Sequence, residues 1–388
     1  MAIKTSPHSE AWLHKSLEPL IFVAYYCGVL PVWCGKKKVH RAWSTLSWMG
    51  SFLVLAILIS SVLFECYQMT IQFSIEATLF AVVKIMMWLQ PSFVAAVIQL
   101  QFISSASKLR NFLGDWRQLE ESLLVAYVEC NIRKIRLLYY IPYLIFGLVT
   151  LAAVPGLIVM EYDQIHLISY YETFQGPSTL PIAVTIHGIF TFFHMVVTTT
   201  AQMMFALFYY HASLAVRVLT HRIEISTDRY SEKRLFQVWK DYQNISKCVD
   251  RANQLFGFIT VALHCFFIFT LCVLTYNLFY GISINDTSGR YIYIGLISTI
   301  AYRLVVDVIL ASKLQQAATS MRAQLSELQR RRWLVMSAEE RETTGYIGKF
   351  FHENRLNASP WSLYTIQPSL LLFILNLVVT YVAILMQS

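Results

Sequence analysis

Long apolar segments alternate with charged segments along the whole of this 388-residue chain. An α-helix needs about 20 apolar residues to cross the hydrocarbon core of a bilayer. Seven apolar segments are long enough to do so, at residues 43–66, 77–103, 135–160, 182–211, 254–281, 291–312 and 362–387. The composition agrees with this pattern, because 56% of the residues are hydrophobic and only 14% are charged. The sequence therefore predicts an all-α polytopic membrane protein with seven transmembrane helices.

The last apolar segment has its polar residues on one side. Residues 368–388 carry no charged side chain, and the polar residues recur at spacings that place them on one helical face. We call this face the polar stripe, and it consists of Ser369, Phe373, Asn376, Thr380, Ala383 and Gln387. Such a stripe either packs against neighbouring helices or faces water in a pore shared between subunits. From this segment alone, packing is the simpler interpretation.

Basic residues concentrate in every second connecting segment. Of the 31 Lys and Arg residues, six precede the first span, five lie between spans two and three with Arg136 just inside the start of span three, eight lie between four and five, and eight between six and seven. These 28 residues share one side, which the positive-inside rule assigns to the cytoplasm. The N-terminus is then cytoplasmic and the C-terminus extracellular. This arrangement is the inverse of a G-protein-coupled receptor, and it also explains the net charge of +8 without a nucleic-acid partner.

The extreme C-terminus carries a short motif. Thr380 and Tyr381 are followed by five apolar residues and then by Gln387. This run resembles the terminal motif of insect gustatory receptors, in which Thr-Tyr, five hydrophobic residues and Gln are usually followed by Phe. Ser388 takes the place of that Phe here. The Ser-Leu-Leu-Leu run at residues 369–372 also resembles the start of the family's last helix, and the detailed match covers about the last twenty-five residues.

The resemblance implies a chemosensory cation channel in the plasma membrane of a sensory neuron, opened by a small-molecule tastant and built as a homo- or hetero-tetramer. It implies a cytoplasmic N-terminus at residues 1–42, helices one to six at 43–312, a cytoplasmic anchor at 313–361 that holds subunits together, and a pore-lining helix at 362–388. No cofactor is implied. Within residues 1–42 we expect a short interfacial or re-entrant helix at 20–33, broken at Pro31. The predicted pore and gate residues are Gln387, Ala383, Thr380, Asn376 and Ile384, whereas Tyr381 is expected to pack against a neighbouring helix.

Polar and aromatic residues gather in the outer halves of the spans. If spans two to six converge there, these residues form a concave aromatic pocket with a few hydrogen-bonding groups. An aromatic belt at the membrane surface would use the same residue types without a pocket, and Lys84 could instead pair with Glu76. The candidate ligand-binding residues are Lys84, Trp88, His187, Phe190, His194, Tyr276, Tyr280 and Tyr293.

Other groups carry less specific signals. Arg303 and Asp307 are four residues apart on one face of span six, which predicts a structural ion pair. His187 and His194 lack a supporting carboxylate or Cys, so no metal site is predicted. Asn285 begins an outer glycosylation sequon. No catalytic motif is present, and the paired repeats typical of a secondary transporter are absent as well.

Overall fold

The computed structural model describes residues 12–31, 41–75, 79–123, 144–145, 147–148, 180–228, 232–281, 287–385 and 387. This part of the chain is almost entirely helical, as predicted. Predicted span three falls outside the described residues except for four positions. The helices are α1 Trp12–Tyr26, α2 Arg41–Ile75, α3 Leu79–Ser104, α4 Ala106–Leu123, α5 Leu180–Asp228, α6 Glu232–Tyr276, α7 Thr287–Arg332, α8 Ala338–Glu353 and α9 Ser369–Leu385.

Helices α5, α6 and α7 form the centre of the molecule. They have 49, 45 and 46 residues, so each is about 70 Å long at 1.5 Å per residue. The hydrocarbon core of a bilayer is only about 30 Å thick, and the excess lies at the end that carries the basic residues. We call this the basic end. Every residue from 201 to 209 of α5 is buried, which makes α5 the central helix of the bundle.

Helix α4 was not predicted, and it closes the basic end of the bundle. The chain bends by 69° between α3 and α4, and the turn residue is Ser105. No secondary structure had been predicted for this segment, although its apolar residues recur with helical spacing. Trp116 and Phe112 pack their rings on Phe208 of α5, with centroid distances of 4.9 and 5.0 Å. Aromatic contacts of this kind attach α4 firmly to the core.

The N-terminal helix differs from its predicted position. Helix α1 runs from Trp12 to Tyr26, so it ends before Pro31 rather than being broken there. The physical reason is Gly28, whose φ of +74° belongs to the left-handed region that ends helices. A Cβ at Gly28 would also stand 2.7 Å from the carbonyl carbon of Gly50 in α2. Only glycine permits this approach, which the sequence pattern alone did not reveal.

The segment after α1 is held between α2 and α3. Gln99 of α3 donates from Nε2 to the carbonyl oxygens of Gly28 and Ser51, at 3.3 and 3.2 Å. The Ser47 hydroxyl donates to the carbonyl oxygen of Leu30 at 2.8 Å. Leu30 is fully buried. The N-terminal segment is therefore part of the core and not a loose extension.

Helix α8 connects the long helices to the last span. Ser337 caps it in a reciprocal arrangement with Glu340, in which each side chain accepts from the other residue's backbone N–H. On its inner side, Tyr242 of α6 donates to the carbonyl oxygen of Asn354 at 2.8 Å. Residues 354–368 then return along α6 and lead into α9. We call residues 354–368 the linker.

Candidate functional site

The two sides of α9 have different surroundings. One side packs on α6 and, less extensively, on α7; its centre is marked by Ile374 and Val382, which are 3% and 7% exposed. Tyr381 is half-buried, whereas Ile384 is exposed. No helix in the described part of the chain covers the polar stripe, because all its members are exposed: Ser369, Phe373, Asn376, Thr380, Ala383 and Gln387.

The C-terminal end of the polar stripe lies just beyond the helix. Helix α9 ends at Leu385, and Gln387 follows in a turn in which its N–H donates to the carbonyl oxygen of Ile384 at 3.0 Å. Its side chain is exposed. The carboxamide therefore sits at the C-terminal end of the exposed side of α9.

The predicted pocket residues lie on four neighbouring segments. Lys84 and Trp88 are in α3, while His187, Phe190 and His194 are in α5. Tyr276 is the last residue of α6, Tyr280 is in the turn that follows, and Tyr293 is in the first part of α7. The structure packs α5 against α3, α6 and α7. It thus brings together the segments that carry these residues.

His194 is the pocket candidate with the clearest surroundings. It is 8% exposed, and its ring meets the ring of Phe266 edge-on at a centroid distance of 5.5 Å. Its Nε2 is buried without a hydrogen-bond partner among the described residues. Phe190, one turn away, is half-exposed, and Tyr293 is buried. His194 therefore joins α5 to α6 beneath the outer residues and retains one unused polar atom.

The end of α6 contains an element that the sequence analysis missed. Residues Asn277–Gly281 form a π-helical turn, in which the hydrogen bonds span five residues rather than four. Such turns are rare and occur frequently at functional sites. The turn leaves Asn277 buried. Hydrophobic periodicity gives no signal for a wider turn of this kind.

A buried polar network joins α5 to α7 below His194. Arg303 and Asp307 are both buried, and Gln202 of α5 lies between them. Gln202 accepts from Arg303 Nε at 2.6 Å and donates to Asp307 Oδ2 at 2.8 Å. Thr198 accepts from the Arg303 guanidinium at 3.3 Å. The guanidinium also lies 5.0 Å from the ring centroid of Phe267.

Only two members of this network, Arg303 and Asp307, were predicted, from their place on one face of span six. Gln202 and Thr198 were not predicted. Both missed residues are polar side chains in an apolar span, four positions apart, which was a usable signal. Their partners lie about 100 residues away in the chain, so the pairing itself could not be read from local spacing.

Two further predictions concern a metal site and a glycosylation site. Among the described residues, no group of three or more His, Cys, Asp or Glu side chains could hold a metal ion. Asn285, the glycosylation candidate, lies outside the described residues. The side chains of Lys84, Trp88, His187 and Tyr280 are outside the description as well.

A family comparison decides the class of this protein. The family model described as 7tm Chemosensory receptor matches residues 17–388, which is nearly the whole chain. The chain belongs to the seven-transmembrane chemosensory receptor family. The receptor is accordingly a multi-pass membrane protein, and the resemblance found at its C-terminus is confirmed at the level of the insect chemoreceptor superfamily. No curated protein sequence matches the receptor.

Solved structures support the same fold. The receptor resembles the insect olfactory receptor OR5 from Machilis hrabei with a TM-score of 0.72 and 14% identity, covering 97% of the receptor and 100% of that chain. The structure of OR5 in complex with eugenol gives a TM-score of 0.76 and 14% identity, covering 97% of the receptor and 98% of that chain. At this identity the likeness concerns the fold, and the prediction of a gustatory rather than an olfactory receptor stays a prediction.

Proposed function

We propose that this chain is a subunit of a gustatory-receptor-like cation channel, opened by a small-molecule tastant and located in the plasma membrane of a chemosensory neuron. The N-terminus is cytoplasmic and the C-terminus extracellular. Several copies, or copies with related subunits, surround a pore lined by the polar stripe. Four subunits is the number that the resemblance to gustatory receptors implies.

The exposed polar stripe is the observation that carries this proposal. Asn376 and Thr380 are polar side chains in the middle of an apolar helix, and the described helices leave them uncovered. Contact with lipid would leave their polar groups without partners, which costs free energy. A face shared between subunits and water removes this cost. The polar stripe then lines the conduction path, and the exposed amide of Gln387 narrows its outer end.

The ligand is expected to bind in the outer half of the bundle. The residues that would contact it are Lys84, Trp88, His187, Phe190, His194, Tyr276, Tyr280 and Tyr293. Support comes from the packing of α5 against α3, α6 and α7, from the contact of His194 with Phe266 of α6, and from the π-helical turn at the end of α6. OR5 from Machilis hrabei has been solved with eugenol, so a small molecule of similar size is a reasonable first ligand to screen.

Binding would open the channel by favouring one of two arrangements of the bundle. A ligand shifts such an equilibrium only if it binds the open arrangement more tightly than the closed one. Contraction of the outer half would move α6, on which α9 packs. The movement of α9 would then change the width of the pore at Gln387 and Ala383.

Cysteine substitution along α9 tests the pore assignment. In purified channels in a lipid bilayer, Cys at Thr380, Ala383 or Gln387 should react with a charged thiol reagent and block current, mainly when ligand is present. Cys at Val382 is the matched control, since it lies in the same turn on the buried side, and it should not react. Equal reactivity on both sides would overturn the pore assignment.

Single-channel recording tests the channel itself. Ligand-evoked current steps from the purified protein alone would separate a channel from a receptor that needs a cytoplasmic partner and from a transporter. An antibody should reach an epitope after Ser388 on intact cells, and one before Met1 only after permeabilisation. The reverse result would remove the proposed orientation.

A further inference from the structure

The linker between α8 and α9 lies along a single stripe of α6. Three residues of α6 hold it, namely Asn253, Gly257 and His264, which are four and seven positions apart. These spacings place them on one face of the helix. The linker leads directly into α9, so the residues that hold the linker also set where the last helix begins.

Asn253 fastens the first part of the linker. Its Oδ1 accepts from the backbone N–H of Ser359 at 2.9 Å and from the hydroxyl of Tyr209 in α5 at 2.6 Å. Its Nδ2 donates to the carbonyl oxygen of Asn357 at 3.1 Å. A single amide therefore links the fully buried Tyr209 of α5 with α6 and the linker, through three partly buried hydrogen bonds.

Gly257 provides the seat for the middle of the linker. A Cβ at this position would stand 2.7 Å from the backbone nitrogen of Trp361 and 2.7 Å from its Cδ1. The Trp361 ring packs on Phe258, with a centroid distance of 5.1 Å. Because a backbone atom is one of the close neighbours, no rotation of a side chain could make room for a larger residue. The glycine in α6 thus permits a contact that any other residue would prevent.

His264 completes the stripe nearer to α9. Its Nδ1 lies 2.6 Å from the Tyr364 hydroxyl, in a hydrogen bond whose donor depends on the imidazole tautomer. The rings are also in contact, with centroids 5.9 Å apart. The carbonyl oxygen of Tyr364 in turn accepts from the Ser359 hydroxyl at 3.0 Å. The linker is thereby closed on itself while it is fastened to α6.

The docked linker contains backbone strain at the turn before α9. Trp361 and Ser362 have φ values of 49° and 57°, in the left-handed region that residues with a Cβ rarely adopt. Two such residues in succession persist only when their surroundings over-determine them, and residues of this kind cluster at switch regions. The α6 stripe supplies those surroundings, since it holds the residues on both sides of the strained pair.

We propose that the strained pair Trp361–Ser362 and its seat at Gly257 form a latch that positions α9 and sets the open–closed equilibrium of the pore. This inference rests on the proposed channel function. Docked and released forms of the linker place the start of α9 differently, so each favours a different pore state. Asn253 and Gly257 are positioning residues, because they act on the pore through the linker.

The latch predicts opposite effects for two kinds of substitution. Gly257→Ala weakens docking, because its Cβ collides with Trp361. Ser362→Gly and Ser362→Asn favour docking, because Gly and Asn adopt the left-handed region more readily than Ser. The ligand concentration for half-maximal current should move about three- to tenfold in one direction for Gly257→Ala and in the other direction for both Ser362 variants. A merely structural role would lower the maximal current without opposite shifts.

Two matched controls separate the collision at Gly257 and the strain at Ser362 from other effects of substitution. Gly345→Ala makes the same chemical change in α8 at a glycine with no atom within 4 Å of its Cβ position, and it should leave the ligand response unchanged. Ser362→Ala removes the hydroxyl of an exposed side chain but keeps the Cβ and therefore the strain. It should behave as wild type, so a shift equal to that of Ser362→Gly would overturn the strain argument.

A labelling experiment on the purified full-length protein tests the latch independently of current. Ala358→Cys places a thiol at a linker position that is only 1% exposed when docked, and its rate of modification is measured by mass spectrometry on the peptide that contains residue 358. Adding Gly257→Ala should raise this rate about tenfold, while adding Gly345→Ala should not. An unchanged rate overturns the latch. A raised rate without shifts in the ligand response overturns its role in gating, whereas absence of any wild-type current overturns the proposed function instead.

Discussion

Helices α5 and α9 are built from similar residues but depend on different surroundings. The apolar part of α5, residues 182–211, and the whole of α9 lack Asp, Glu, Lys and Arg, and both carry amides and hydroxyls at helical spacing. In α5, Thr198 and Gln202 are buried and bonded to Arg303 within the same chain. In α9, Asn376 and Thr380 are exposed. The difference shows that α5 completes its polar contacts on folding, whereas the described helices leave the polar groups of α9 uncovered. Under the proposed function, assembly of the channel supplies their partners.

The contrast between α5 and α9 is tested most directly by removing an aromatic ring from each helix. Phe208→Ala in α5 should lower the free energy of unfolding by about 3–5 kcal/mol, because it leaves a cavity between Trp116 and Phe112. Phe373→Ala in the polar stripe removes a ring that is 62% exposed, and should lower it by less than about 0.5 kcal/mol. Thermal unfolding of the detergent-solubilised protein measures both.

Oligomer assembly and current should respond more strongly to Phe373→Ala than to Phe208→Ala, the reverse of the order expected for stability. Phe373→Ala should alter the fraction of oligomer or the current, because the proposed function places its face against other subunits or the pore. Equal destabilisation by Phe373→Ala and Phe208→Ala would mean that the exposed side of α9 is covered within the chain, and the contrast between the two helices would fail.

A polar-to-apolar substitution in each helix tests the same contrast between α5 and α9. Gln202→Leu leaves Arg303 and Asp307 buried with fewer partners, and should cost about 2 kcal/mol of stability. Asn376→Leu makes a similar change in α9 and should leave stability unchanged, but it should reduce single-channel conductance by removing an amide from the pore. Unfolding measurements and single-channel recording of the two variants provide the test. Unchanged conductance in Asn376→Leu would contradict the pore-facing position.

The last prediction concerns the first turn of α8, a short charged helix that packs only one side into the core, through Ile347 and Phe351. Ser337→Ala removes the cap and should cost about 1 kcal/mol, seen as faster hydrogen exchange in the first turn of α8. Ser326→Ala in α7 is the control, since its hydroxyl bonds only the carbonyl four residues earlier and its loss should be neutral. If exchange in α8 does not change, the helix is held by its packing on α6 and α7 alone.

Local patterns predicted much of this molecule. Spans one, two and four to seven appear in α2, α3, α5, α6, α7 and α9, because a run of about 20 apolar residues has few other stable environments. The polar stripe was equally readable, since spacings of seven, four and seven residues identify one helical face. The terminal Thr-Tyr and Gln motif indicated the receptor superfamily before any fold was known.

Other features depended on contacts between distant residues. The end of α1 depends on the approach of Gly28 to Gly50, and the partners of Arg303 depend on the packing of α5 on α7. The strained turn at Trp361 can pack on α6 only because Gly257 has no Cβ that would collide with it. Spacing within one segment carries no information about such contacts, which explains why the sequence analysis placed α1 incorrectly and missed Gln202.

The sequence by itself determined that this chain crosses a membrane many times, which ends of its helices are basic, and which face of the last helix is polar. These properties follow from the transfer of individual side chains between water and lipid, so they can be read residue by residue. Only the tertiary structure decided that the polar stripe is uncovered by the described helices, and that the linker is fastened to Asn253, Gly257 and His264. Those properties depend on which surfaces of the folded chain contact each other. Because the interior is closely packed, these contacts depend on the shapes of residues that lie far apart in the sequence.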